Sequence, residues 1–163
     1  MSGRTFVFGD DIDTDLLAPG AYMKLAPEAL AAHCLEAIDP AFARNVGPGD
    51  FVVAGTNFGL GSSREQAAVS LKLLGVEAVI ARSFGRIFFR NAINLGLLAL
   101  VLPEADQIAA GARLAVDAEA GTVSDLDSGR TYRTTPLPGP IMDMIRAGGL
   151  IAHLKKTIGG HEG

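Results

Sequence analysis

One cysteine, Cys34, stands alone in a chain of 163 residues. A single thiol excludes an internal disulfide, and it cannot by itself hold an iron–sulfur cluster, which takes several thiolates. Cys34 lies among Ala31, Ala32 and Leu35, the setting of a buried structural thiol. No apolar run reaches the roughly 20 residues that span a bilayer as a helix. The N-terminus also lacks the basic-then-apolar pattern of a signal peptide. Both point to the cytoplasm and away from a membrane. Basic residues are in deficit, with 14 Lys and Arg against 18 Asp and Glu and a net charge of −4. With no basic run either, nothing draws the chain to nucleic acid. The acidic run Asp10, Asp11, Asp13 and Asp15 touches the spacing of a calcium loop. It lacks the glycine after the third ligand and the distal glutamate, and Leu16-Leu17 follow instead, so no metal site is expected.

What is present is a soluble globular composition, 48% hydrophobic and 20% charged, at the length of one domain with a real core. The informative stretch is residues 51–74. Phe51-Val52-Val53-Ala54 is a short apolar run typical of a buried strand. Glycines follow at Gly55, Gly59 and Gly61, without the Gly-Lys-Ser/Thr of a Walker loop. Beyond Ser62, Ala67, Ala68, Leu71 and Leu74 recur at helical spacing, leaving Glu65 and Lys72 on the wet side. The pattern predicts strand, glycine-rich loop, helix, with Ser62-Ser63-Arg64 in the first helical turn. Unpaired N–H groups and the positive end of the helix dipole suit a carboxylate or phosphate there. Arg64 adds a planar fork for a carboxylate, and two hydroxyls supply donors and a proton acceptor. Taken alone, the triplet fits a plain capping serine equally well.

Around this centre the chain predicts a strand at residues 5–8, a helix over 27–38 opened by Pro27, and a short connector at 39–44. Residues 77–81 form the next strand, parallel to the central one because a helix joins them. A helix over 83–94 carries an apolar face of Phe84, Ile87, Phe88 and Ile93 and a basic row of Arg82, Arg86 and Arg90. A strand at 97–102 and a short helix at 103–108 follow. Residues 113–117 and 122–126 form a hairpin, a further strand lies at 129–133, and a last helix covers 141–146. His33 is a partly buried helix residue, and residues 155–163, with His161, form a loose tail.

Three ordered segments carry a resemblance. Asn57-Phe58-Gly59-Leu60-Gly61-Ser62-Ser63-Arg64-Glu65 is similar to the NFGxGSSRE signature of the aconitase swivel domain and of the small subunits of isopropylmalate isomerase and homoaconitase. Residues 9–15, Gly-Asp-Asp-Ile-Asp-Thr-Asp, followed by Pro19, are a second match. Residues 82–97 are a third, and a family-like Ala147-Gly148-Gly149-Leu150 stands near the C-terminus. The resemblance covers nearly the whole of residues 1–163. It implies an α/β fold, a single swivel domain with a compact sheet flanked by helices and a hairpin in its C-terminal half.

It also implies a function: the small subunit of a hydro-lyase acting on a hydroxy di- or tricarboxylate, active only with a large subunit. In that family Ser62 would be the base that takes the proton α to a carboxylate. Ser63 and Arg64 would bind a substrate carboxylate, and Thr14 and Asp15 would face the active site. A 4Fe–4S cluster would act as Lewis acid on the departing hydroxyl, and with one cysteine here it must belong to the partner. The loop holding Tyr22 and Lys24 matches the place of a substrate-selecting Tyr-Leu-Arg-like motif, but reads Tyr-Met-Lys-Leu. Leu60 and Gln66 stand where many isopropylmalate isomerase small subunits have cysteine and histidine. Isopropylmalate, in leucine biosynthesis, is the first expected substrate. Homoaconitate or a dimethylmalate-type acid remains open, and so does a non-catalytic interaction or carboxylate-binding domain of the same fold.

Overall fold

The computed structural model describes residues 2–149 and residue 154. The expected tail over 155–163, its His161, and Leu150 of the terminal motif lie outside the described residues. Seven strands form one sheet: β1 (Ser2–Val7), β2 (Phe51–Ala54), β3 (Ala78–Ala81), β4 (Leu98–Val101), β5 (Arg113–Asp117), β6 (Thr122–Asp125) and β7 (Thr131–Arg133). Their order is β4-β3-β2-β1-β5-β6-β7. Strands β1 to β4 are mutually parallel, whereas β5, β6 and β7 run as an antiparallel meander joined to β1.

Composition explains the two halves. Every residue of β2 and β3 is buried, because a parallel sheet is covered on both faces and needs unbroken apolar runs. In β5, Leu114 and Val116 are buried while Arg113 and Asp117 are exposed, the alternation of a sheet with one wet face. Val52, Ala54, Val79 and Ala81 face a core shared with the helices. On the other face Phe51, Val53, Ile80 and Leu100 pack with Leu114, Val116, Val123 and Tyr132. The antiparallel half therefore curls back over the parallel half.

The helices are α1 (Thr14–Leu17), α2 (Pro27–Ala31), α3 (Phe42–Asn45), α4 (Gln66–Leu73), α5 (Arg86–Asn94) and α6 (Gly139–Ala147), with 3-10 turns at Gly20–Tyr22 and Ala105–Gln107. Three expectations are corrected here. The helix predicted over 27–38 stops at Ala31 and continues as turns. Leu35 takes a positive φ of 60° and donates its N–H to the Leu16 carbonyl at 2.9 Å. That tertiary bond draws Leu35 and Cys34, both fully buried, under α1. The helix predicted from residue 83 begins at Arg86, because Phe84 instead forms a parallel bridge with Phe58. Ile87, assigned to the apolar face of that helix, is 47% exposed, whereas Phe88 and Ile93 are buried.

Candidate active site

The loops leaving β1, β2 and β3 at their carboxyl ends run side by side, and they are the three motif segments. Gly55 N–H donates to the Gly9 carbonyl at 3.1 Å, and Arg82 N–H to the Gly55 carbonyl at 3.0 Å. Further along, Asp11 N–H meets Thr56 O at 2.8 Å and Phe58 N–H meets Ser83 O at 3.0 Å. In open sheets with parallel strands, ligands bind outside the carboxyl ends. Segments 9–15, 55–65 and 82–85 thus meet at the edge where a site belongs.

The loop after β2 is held in a conformation few residues permit. Asn57 has φ 57° and Gly59 φ 81°. A Cβ on Gly59 would enter the Phe88 ring, so only glycine fits there. Phe58 is fully buried, edge-on to Phe84 and Phe88 with ring centroids 6.1 and 5.2 Å away. Burial of one such ring stabilises by about 1.5–3 kcal/mol, and here it anchors the loop to α5. Asp10 accepts from Thr56 N–H at 2.8 Å, Ser83 Oγ from Asn57 N–H at 2.8 Å, and Asp11 from the Asn57 side chain at 3.2 Å.

The helix start differs from expectation. The α4 helix begins at Gln66, with Glu65 as its cap position, so Ser62, Ser63 and Arg64 precede it instead of forming its first turn. Tertiary contacts supply the reason. Ser62 Oγ lies 3.4 Å from Thr14 Oγ1. Arg64 turns its side chain to Asp15 Oδ1 at 2.7 Å and the Ala18 carbonyl at 3.1 Å. Arg64 N–H donates to Ser62 O at 2.9 Å, a tight turn incompatible with α-helix. The Ser62, Ser63 and Glu65 N–H groups have no acceptor among the described residues. Ser62 and Ser63 are exposed and Arg64 is half-buried. A run of free N–H groups beside a cation is itself an anion-binding element.

Across the cleft, Asp13 caps α1 by accepting from Leu16 N–H at 2.8 Å. Gly59 N–H donates to Ile12 O at 2.6 Å and Thr14 N–H to Leu60 O at 2.9 Å, stitching the segment to the serine loop. Asp15 also accepts from Gly20 N–H at 2.9 Å. The Arg64 hydrogen bond, then the Gly20 bond, hold the Asp15 carboxyl below the usual aspartate range. Only Nη1 of Arg64 is engaged. The Nη2 and Nε edge stays free among the described residues, and that edge can take a carboxylate bidentately.

Several of these contributors carried no assignment from the sequence, Asp10, Ser83, Ala18 and Gly20 among them. Asp10 and Ser83 belong to the motifs but read there as unassigned polar residues. Ala18 and Gly20 act through backbone atoms, for which no side-chain pattern exists. Of the expected site residues, Thr14, Asp15, Ser62 and Arg64 come together by direct contact, with Ser63 between the last two in the chain. Tyr22 and Lys24 join no such contact. Tyr22 stacks on His33 with centroids 3.7 Å apart, and His33 Nδ1 lies 2.8 Å from Glu36. Lys24 is exposed.

Residues 22–105 match the family described as the aconitase C-terminal domain. A 3-isopropylmalate dehydratase small subunit from Nautilia profundicola is 46% identical over 159 residues, covering 97% of this chain and 96% of that one. The 3-isopropylmalate dehydratase small subunit 1 of Archaeoglobus fulgidus is 50% identical over 154 residues, 94% of this chain and 96% of its own length. The chain belongs to the 3-isopropylmalate dehydratase small-subunit family. A crystal structure of 3-isopropylmalate dehydratase (leuD) from Methanocaldococcus jannaschii superposes with a TM-score of 0.92 at 42% identity, covering 99% of this chain and 98% of that one. The fold is accordingly the aconitase-type swivel fold.

As a member of the small-subunit family, the chain can be tested for fit to the cluster its aconitase kinship implies. Cys34 is fully buried and burial pushes its thiol up, away from the thiolate that ligates iron. Among the described residues no group of three His, Cys, Asp or Glu could hold a metal ion. The described residues do not fit a cluster. Among the described residues no helix is long and apolar enough to cross a membrane. A cavity of about 720 Å³, lined by Gly75, Glu77, Gly96 and Leu98 among others, opens at the amino ends of β2, β3 and β4. It includes none of the candidate residues and lies at the end of the sheet opposite to them.

Proposed function

We propose that this chain is the small subunit of a heteromeric hydro-lyase that interconverts 3-isopropylmalate and 2-isopropylmalate by dehydration and rehydration, a step of leucine biosynthesis in the cytoplasm. Residues 1–163 are read as one swivel domain. The observation that carries the reading is the convergence of the Ser62 hydroxyl, free loop N–H groups and the open edge of Arg64 at the carboxyl end of the parallel strands.

The chemistry asked of this chain is binding and one proton transfer. The free edge of Arg64, with Ser63 and the adjacent N–H groups, binds a substrate carboxylate. Asp15 holds Arg64 in place and, in this reading, acts near the substrate hydroxyl. Ser62 Oγ takes the proton from the carbon α to a carboxylate and returns it when water is re-added. A free serine is too weak a base at neutral pH, so the alkoxide needs nearby donors and positive charge as it forms. Having a single buried thiol, the chain leaves the 4Fe–4S cluster to the large subunit, and with it half of the active site.

In this reading the loop with Tyr22, Met23, Lys24 and Leu25 would select the variable end of the substrate. An isopropyl group wants aliphatic contacts such as Met23 and Leu25, whereas a third carboxylate wants a cation. Lys24 is exposed, which accords with a purely dicarboxylic substrate because burying an unpaired lysine is costly. A Lys24 turned into the site would favour a second reading, a homoaconitate-type tricarboxylate. The test is to purify the chain with its large subunit and assay isopropylmalate, dimethylmalate and homoaconitate with wild type and Lys24→Met. Turnover of isopropylmalate little changed by Lys24→Met supports the first reading. Turnover of homoaconitate but not of isopropylmalate by the wild type, markedly reduced in Lys24→Met, moves the substrate to the second. Equal losses on the acids show that Lys24 does not set specificity, and no turnover of any of these acids refutes both.

A further inference from the structure

Thr14 is a threonine with 3% of its surface exposed at the start of α1. Among the described residues, Ser62 Oγ is the one partner of its hydroxyl, at 3.4 Å. Three features make the pair a built one. The backbone of Thr14 is tied to the serine loop by its N–H bond to Leu60 O at 2.9 Å. The residue between, Gly61, has φ 111°, and a Cβ there would stand 3.1 Å from Thr14 Oγ1. The absent side chain leaves room for that hydroxyl. A β-branched residue has few side-chain rotamers available, so Thr14 is a stiff, buried post beside an exposed, loop-borne serine.

We propose that Thr14 is a positioning residue: its hydroxyl hydrogen-bonds Ser62 Oγ, orients it toward the substrate carbon, and donates to it as the alkoxide forms. A hydroxyl serves as donor or acceptor by rotation alone. While Ser62 is the alkoxide that takes the substrate proton, only Thr14 can donate between them. Once Ser62 has taken that proton it is a hydroxyl and can donate to Thr14 until it returns the proton to the substrate carbon. The 3.4 Å separation is longer than the ~2.7–2.8 Å of a closed hydroxyl pair. Catalytic hydrogen bonds often tighten only when substrate is bound. The inference rests on the reading of Ser62 as the base.

The experiment uses the complete heteromer with Thr14→Val, Thr14→Ala, Thr14→Ser and Ser62→Ala, each checked for assembly with the large subunit and for melting temperature. Thr14→Val keeps the shape and removes the hydroxyl. It is expected to lower kcat about 10- to 100-fold, the value of a hydrogen bond to a charged group, while KM stays within about twofold. Thr14→Ser is expected to recover to within about threefold of wild type, because the hydroxyl is restored. Should Thr14→Val fail to assemble, Thr14→Ala takes its place with the same expectation. Wild-type kcat in the hydroxyl-free variants, a loss carried by KM, or a Thr14→Ser as impaired as Thr14→Val would overturn the proposal. Ser62→Ala separates the two levels. If it is inactive while Thr14→Val is normal, only the Thr14 assignment falls; if it is active, the base reading itself falls.

Discussion

At the scale of single residues, the decisive arrangement is Arg64 held by one nitrogen. Nη1 meets Asp15 and the Ala18 carbonyl, and the opposite edge has no partner among the described residues. Arg64→Lys keeps a charge but has no fork. The expected result is a raised KM for every accepted acid with a smaller change in kcat, since the carboxylate gripped is common to them. Strong discrimination between acids would mean that Arg64 reads the variable substituent. Asp15 is expected to follow. Its pKa is depressed when folded, so the ion pair is fully formed above the ordinary aspartate value and is lost as pH falls through the depressed one. Across neutral pH the Asp15 carboxyl stays ionised. In Arg64→Ala, an NMR titration of Asp15 should move back up toward the ordinary value.

At the scale of elements, the site is an assembly of three loops, and one of its seams sets glycine against glycine. A Cβ on Gly85 would lie 2.9 Å from Gly59 O and 3.0 Å from the Leu60 Cα, both rigid backbone atoms. Gly85→Ala is therefore expected to destabilise the chain by about 1–3 kcal/mol, as overpacking does, and to lower kcat by displacing the serine loop. An unchanged melting temperature and kcat would show that the seam is slack. The same seam explains what the sequence could and could not disclose. Strands β2, β3 and β4 were legible because burial on both faces demands unbroken apolar runs such as Ala78-Val79-Ile80-Ala81. The hairpin of β5 and β6 was legible from alternation broken at Gly121. The start of α4 was not legible, since Ser62 and Ser63 have every local mark of a helix start. The partners that keep them out of the helix, Thr14 and Asp15, lie 48 and 49 residues from Ser62 and Arg64. Leu35 is similar: its spacing is helical, and its departure is set by the Leu16 carbonyl. The candidate residues themselves were legible through motif resemblance, while backbone contributors such as Gly20 N–H and Ala18 O have no signature in side-chain chemistry.

For the whole molecule, the site is one-sided. The serine loop lies on an exposed edge of the sheet, with Ser62 and Ser63 open to solvent. In the proposed reading the chain supplies a base and a carboxylate clamp, and among the described residues no group of three His, Cys, Asp or Glu could hold a metal ion. Its small-subunit kinship accounts for this, as the missing half would come from a large subunit. The most direct test is turnover of 3-isopropylmalate to 2-isopropylmalate by this chain alone, by the large subunit alone, by both together, and by the large subunit with Ser62→Ala. The expected result is turnover only for the two wild-type chains together. Ser62→Ala should assemble normally and fall about 100- to 10,000-fold, the usual cost of removing a proton-transfer group. Turnover by this chain alone, or a Ser62→Ala heteromer within a few-fold of wild type, would contradict it.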